Sequence, residues 1–164
     1  MGCDARMNVN VYDKLRELAL ELPAAPKAGG LYSTSVVYDG NMCCTSGHNC
    51  KRNGVLPHKG KLGKEVSLEE GQQDARQCIL NILGTLHASL GDLNRVRKVV
   101  KILAFVASDD MFYEQPKVLD AASQLLIDIF GEEIGKGCRS AVGVNVLPNN
   151  QPVEIEIMCE INEL

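Results

Sequence analysis

The pattern that most constrains this chain lies near its end. Residues 153–161 place Val153, Ile155 and Ile157 on one side and Glu154, Glu156 and Met158 on the other. Side chains of a β-strand point alternately to opposite faces, so a strict period of two means a strand with one buried face. Such a strand needs partners and a covering layer, and the sequence offers both. Residues 31–38 and 42–46 flank Asp39-Gly40-Asn41, a turn of the hairpin type. The β-branched stretch 96–106 predicts another strand, and 139–146 predicts one more before Leu147-Pro148-Asn149-Asn150. Ser67-Leu68-Glu69-Glu70 has the spacing of a capping box and opens a helix to about residue 90. A second helix over 114–130 turns Val118, Leu119, Ala122, Leu125, Leu126 and Ile129 inward, and a third is predicted over 11–22, stopped by Pro23. Residues 47–63 read as a loop with room for a short strand. The order predicts an α+β fold: a mixed sheet on two main helices, plus an extra N-terminal helix. The expected division is a helical extension over 1–22 and one domain over 23–164.

Composition narrows the function. The net charge is −4, Trp is absent and aromatics make up 4% of the 164 residues, which argues against a nucleic-acid binder. The apolar runs are too short to span a bilayer, and residues 1–16 show no secretory signal, so the expectation is no membrane role and a cytoplasmic location, with organelle targeting left open. Seven cysteines, an odd number, then read as free thiols in a reducing compartment.

The chemistry is sparse. No phosphate-binding glycine motif is present; Gly60-Lys61-Leu62-Gly63-Lys64 is only a basic loop. Cys43, Cys44, His48, Cys50 and His58 are close in sequence, but no CxxC pair occurs, so neither metal nor cofactor is expected. Cys138 adjoins Arg139 without a nearby His, which makes it a weak nucleophile candidate. Arg139 is more informative: it follows a glycine-rich loop and opens an apolar strand, a place from which a guanidinium can clamp a carboxylate. Glu154 and Glu156 share a face of the last strand and could serve acid–base work or simply meet water.

Four segments resemble the RidA (YjgF) family of reactive-intermediate imine deaminases, also called the endoribonuclease L-PSP family. They are Gly30-Leu31-Tyr32, the hairpin Gly40-Asn41-Met42-Cys43-Cys44-Thr45-Ser46-Gly47, the stretch from Gly91-Asp92-Leu93 to Phe105-Val106, and Arg139-Ser140-Ala141-Val142 with Leu147-Pro148 and Val153-Glu154-Ile155-Glu156. The resemblance implies a chorismate-mutase-like fold, a homotrimer with clefts between subunits, and cofactor-free hydrolysis of 2-imino acids to 2-keto acids and ammonia. Carried over by position, Arg139 holds the substrate carboxylate, Glu154 positions or activates water, Tyr32 lines the cleft and Gly47 offers its backbone.

Some positions mark a longer, divergent branch. Ala141 stands where a cysteine is frequent, its amide still available to a carboxylate, and Asp120 stands where an asparagine is common. The resemblance therefore places Tyr32, Gly47, Asp120, Arg139 and Ala141 around a small imino or keto acid. Two other functions stay open: a non-catalytic trimer that binds small carboxylates, and a ribonuclease or translation inhibitor.

Overall fold

The computed structural model describes residues 10–162, so Cys3 and most of the segment read for a signal lie outside the described residues. Six strands form one mixed sheet: β1 Ser35–Tyr38, β2 Met42–Thr45, β3 His48–Asn49, β4 Val96–Ala107, β5 Cys138–Val144 and β6 Val153–Ile161. The order is β1-β2-β6-β4-β5, with β3 continuing beside β6 past the end of β2. All pairings are antiparallel except β4 with β5. The helices are α1 Val11–Glu17, α2 Leu68–Leu90, α3 Gln115–Phe130 and the short α4 Glu132–Gly135. This is the α+β architecture the pattern predicts, and among the described residues no helix is long and apolar enough to cross a membrane.

The alternation of β6 organises the core. Its odd-numbered residues from Val153 to Ile161 are buried in the core, against α2. On β4 the apolar spacing is three, three, two, two: Val96, Val99, Ile102, Ala104, Val106. Two register shifts, between Val96 and Lys98 and between Val99 and Lys101, each put one extra residue on β4. These bulges keep the apolar side chains inward while Arg97, Lys98 and Lys101 stay off that face. From Ile102 onward the simple alternation resumes.

Helix α2 starts as predicted. Glu70 N–H donates to Ser67 Oγ at 3.2 Å and Ser67 N–H to Glu70 Oε2 at 2.8 Å, and Gly91 ends the helix in the left-handed region. Its apolar side faces the sheet. A second, polar stripe runs Asp74, Gln77, Asn81, Thr85 at helical spacing, all buried. This stripe anchors the long connection after β2. Thr85 meets His48, Asn81 donates to the carbonyls of Asn49 and Lys51 at 2.8 and 2.9 Å, Gln77 accepts from Arg52, and Asp74 accepts from His58. The stretch read as a loop is thus pinned, and begins with the two-residue strand β3.

The first helix is shorter than its apolar spacing predicts. It ends at Glu17 because Ala19 enters the left-handed region (φ 51°), with Ala19 N–H donating to Arg16 O at 3.0 Å and Leu20 N–H to Leu15 O at 2.8 Å. That bonding is a Schellman termination. The chain then runs extended across α2, where Pro23 O lies 2.4 Å from the point a Cβ on Gly84 would occupy. Leu20 and Leu22 still reach the core, but from extended chain, which a period count cannot separate from helix. Left-handed backbone costs alanine energy that glycine avoids. Ala19→Gly should raise the unfolding free energy by about 0.5–1 kcal/mol in chemical denaturation.

Candidate functional site

The residues singled out from the sequence fall into two groups. The first forms where β2 gives way to β3. Between the pair Cys43–Cys159 and the pair His48–Ile155 the register slips by one residue, and Gly47 sits in the slip. Ile157 N–H is satisfied there by Thr45 Oγ1 at 3.1 Å. A Cβ on Gly47 would lie 2.3 Å from Glu154 Oε1 and 2.8 Å from its Cδ, so the carboxyl group in this position leaves no room for a side chain at residue 47.

Glu154 is half-buried and accepts a hydrogen bond from the side-chain amide of Gln151, a buried residue. Burial pushes the Glu154 carboxyl pKa up, Glu156 adds to this by like-charge repulsion, and the Gln151 amide opposes it. Tyr32 lies nearby, sharing a small recess with Thr34, Ser46, Gly47 and His48, and its hydroxyl accepts from Gly29 N–H at 3.0 Å.

His48 holds this corner in place. Nδ1 lies 2.7 Å from Ser46 O, which can only accept, so Nδ1 carries the proton. Nε2, 2.7 Å from Thr85 Oγ1, is then the acceptor. Both partners suit the neutral ring, and burial pushes the His48 pKa down.

The second group lies at the edge strand β5. Arg139 aligns with Ile102 across the β4–β5 ladder, on the face that carries the helices. Its Nη1 donates to Asp120 Oδ1 at 2.9 Å and to Ser123 Oγ at 3.0 Å, two residues one turn apart on α3. Ala141 aligns with Ala104 on the same face. Further along, Gly143 of β5 and Gln115 of α3, with Tyr113, help line an open cavity of about 350 Å³. Glu154, by contrast, aligns with Phe105 on the opposite face. Within one chain, Arg139, Asp120 and Ala141 come together, and Tyr32, Gly47 and Glu154 come together, but the two groups do not converge.

Sequence reading missed Ser123, Gln151 and the His48–Thr85 anchor. Ser123 lies three residues after Asp120, the one signal that could have tied it to Arg139. The Cys and His cluster near residue 50 disperses: Cys43 faces Cys159 in the core, His48 bonds Thr85, and His58 bonds Asp74. Among the described residues, no three His, Cys, Asp or Glu side chains are placed to hold a metal ion. Cys138 is exposed, one residue from Arg139 on the alternating strand.

Two stability predictions follow from this geometry. Gly47→Ala should cost about 1–3 kcal/mol in chemical denaturation, and most of that cost should vanish in a Glu154→Ala background, where the collision is absent. Because the folded-state pKa of His48 is depressed, its contribution is full above the unfolded value of 6.5 and is lost as pH falls through the lower folded value. The unfolding free energy should therefore decline below pH 6.5 with a slope that His48→Gln reduces.

A family model described as "YjgF/chorismate_mutase-like, putative endoribonuclease" matches residues 13–161. Protein TCP17 of Trypanosoma cruzi is 40% identical over 148 residues, 90% of this chain and 92% of that one. The crystal structure of Atu1372 from Agrobacterium tumefaciens, itself of unknown function, superposes with a TM-score of 0.86 at 36% identity and covers 95% of each chain. Escherichia coli TdcF, solved with bound serine, superposes with a TM-score of 0.61 at 22% identity over 83% of this chain and 92% of that one, a likeness of fold alone.

Proposed function

Since the chain belongs to the YjgF/RidA family and has its chorismate-mutase-like fold, we propose that it is a deaminase that hydrolyses reactive 2-imino acids, and their enamine tautomers, to 2-keto acids and ammonia. One water adds across the C=N bond, its oxygen becomes the keto oxygen, and nitrogen leaves as ammonia. The imine carbon is already electrophilic, so orientation and proton transfer can supply most of the rate.

The observation that carries this reading is the pair of opposed groups. Arg139 presents a largely covered guanidinium held against α3, suited to a carboxylate. Glu154 presents a half-buried carboxyl whose pKa burial raises, suited to taking a proton from water and returning it to the leaving nitrogen. A pure carboxylate binder would gain nothing from burying a second carboxyl group beside its ligand. A ribonuclease is disfavoured by the histidines, since His48, His58 and His87 are each engaged, with Thr85, Asp74 and Tyr12.

The two groups meet in this proposal through assembly. They leave the sheet on opposite faces, so a shared cleft needs two copies, with Arg139 from one and Glu154 from the next. The sheet face away from the helices offers the contact surface: Val36, Tyr38 and Val142 are exposed there, beside Leu103, Phe105 and Met158. Burying such surface contributes about 25 cal/mol per Å². The homotrimer follows from the family, and light scattering should give three times the chain mass of 17.8 kDa; a stable monomer at micromolar concentration would contradict it. The small ligand, an imino or keto acid, resembles the amino acid bound by TdcF in carrying a carboxylate next to a nitrogen-bearing or carbonyl carbon.

With 2-iminopropanoate generated by an amino-acid oxidase, Arg139→Ala should lose nearly all activity. Arg139→Lys should lose on the order of a hundredfold, because an ammonium cannot fix the carboxylate plane. Glu154→Gln should lower kcat by about 10²–10⁴-fold while keto-acid affinity persists. The reactive form of Glu154 is the carboxylate, so kcat/KM should fall as pH drops through its raised pKa, and Glu154→Gln should abolish that limb.

A further inference from the structure

Resting on the reading of Arg139 as the carboxylate clamp, we propose that Asp120 and Ser123 are positioning residues for that clamp, and that the Asp120 charge makes the site selective for acids with a single carboxylate. A guanidinium has five N–H donors: two on Nη1, two on Nη2 and one on Nε. Here Nη1 donates both of its hydrogens, one to Asp120 Oδ1 at 2.9 Å and one to Ser123 Oγ at 3.0 Å. Among the described residues, Nε and Nη2 have no hydrogen-bond partner. A carboxylate needs two parallel donors for a bidentate pair. The end edge, Nη1 with Nη2, is spent, so the side edge, Nε with Nη2, is the one presented.

The geometry fixes more than a contact. Asp120 and Ser123 lie one turn apart on α3 and hold Nη1 from one rigid element. That sets the plane of the guanidinium, and through it the plane of the bound carboxylate and the position of the carbon next to it. Arg139 is mostly covered, with 23% of its side chain exposed, which limits its freedom to swing to another edge.

Charge adds selectivity. Arg139 and Asp120 together are neutral, so a monocarboxylate leaves the group with one negative charge and a dicarboxylate with two. The nearby lysine, Lys117, is paired with Glu114 and offers no relief. An acid with a second carboxylate therefore adds a second negative charge to a site whose one cation is already neutralised by Asp120. The departure from an amide at this position becomes a filter against dicarboxylic ligands.

The test is the binding of 2-oxobutanoate and 2-oxoglutarate to the assembled protein by calorimetry, with deamination kinetics on the matching imines. The parent should prefer the monoacid. Asp120→Asn keeps an oxygen acceptor but no charge, and should narrow the preference by about fivefold, chiefly by tightening the diacid. Ser123→Ala should raise KM and Kd for both ligands alike and lower kcat, and Ser123→Thr should restore them. If Asp120→Asn changes both ligands equally, or Ser123→Ala leaves KM unmoved, the inference falls while the deaminase reading stands. If the folded parent binds neither acid and deaminates neither imine, the clamp reading itself is wrong and this inference falls with it.

Discussion

Two helices, α2 and α3, cover one face of the sheet and leave the other to whatever the chain meets next. Against that one-sided cover, the two-residue period of the strands sorts every side chain into one of two fates. On β6 the odd-numbered residues enter the core and the even-numbered ones, Glu154 among them, leave it. On β5 the same rule sends Arg139 and Ala141 towards the helices and Ser140 and Val142 away. A shift of one residue in either strand would exchange these roles, which is why register matters here more than any single contact. The bulges on β4 serve the same end: they absorb a spacing of three so that Ile102, which fixes the level of Arg139, stays inward.

The two functional groups are built by opposite electrostatic means. Burial raises the proton affinity of the Glu154 carboxyl group, which rests against the Gly47 backbone, while the buried Gln151 amide opposes that rise. Arg139 is instead satisfied at one nitrogen and, among the described residues, left open at the others. Rigidity comes from behind. The polar stripe of α2 ties down the chain after β2, and the neutral His48 bridges that stripe to the Gly47 turn. A merely apolar helix face would pack as well but would leave that turn free to wander.

The layered fold was legible because its signals are local and periodic. The alternation at 153–161, the capping box at Ser67 and the inward face of α3 all appear in the structure where the residues put them. The first helix was overestimated because Leu20 and Leu22 satisfy an apolar spacing while lying on extended chain, and no glycine marks the turn at Ala19. The anchor of the long connection was present in the sequence as Asp74, Gln77, Asn81 and Thr85, at the same period as the apolar face beside it, but polar residues on a helix usually mean solvent. Arg139 and Glu154 were legible as candidates from their places on apolar strands, and the roles expected of them came from the family resemblance. That they leave opposite faces of one sheet depends on the parallel pairing of β4 with β5, a long-range relation no local pattern carries.

In the proposed trimer, one catalytic cleft draws Arg139 from one chain and Glu154 from another. Subunit mixing tests it most directly. Arg139→Ala and Glu154→Gln, each inactive alone, would be unfolded together or exchanged by slow dissociation, then reassembled at equal amounts. Random assembly should place an intact Arg139 opposite an intact Glu154 at about a quarter of the interfaces, so the mixture should regain about a quarter of the parent activity. Hybrid trimers that form, by mass spectrometry, yet stay as inactive as their parents would show that both residues must come from the same chain, and would contradict the account.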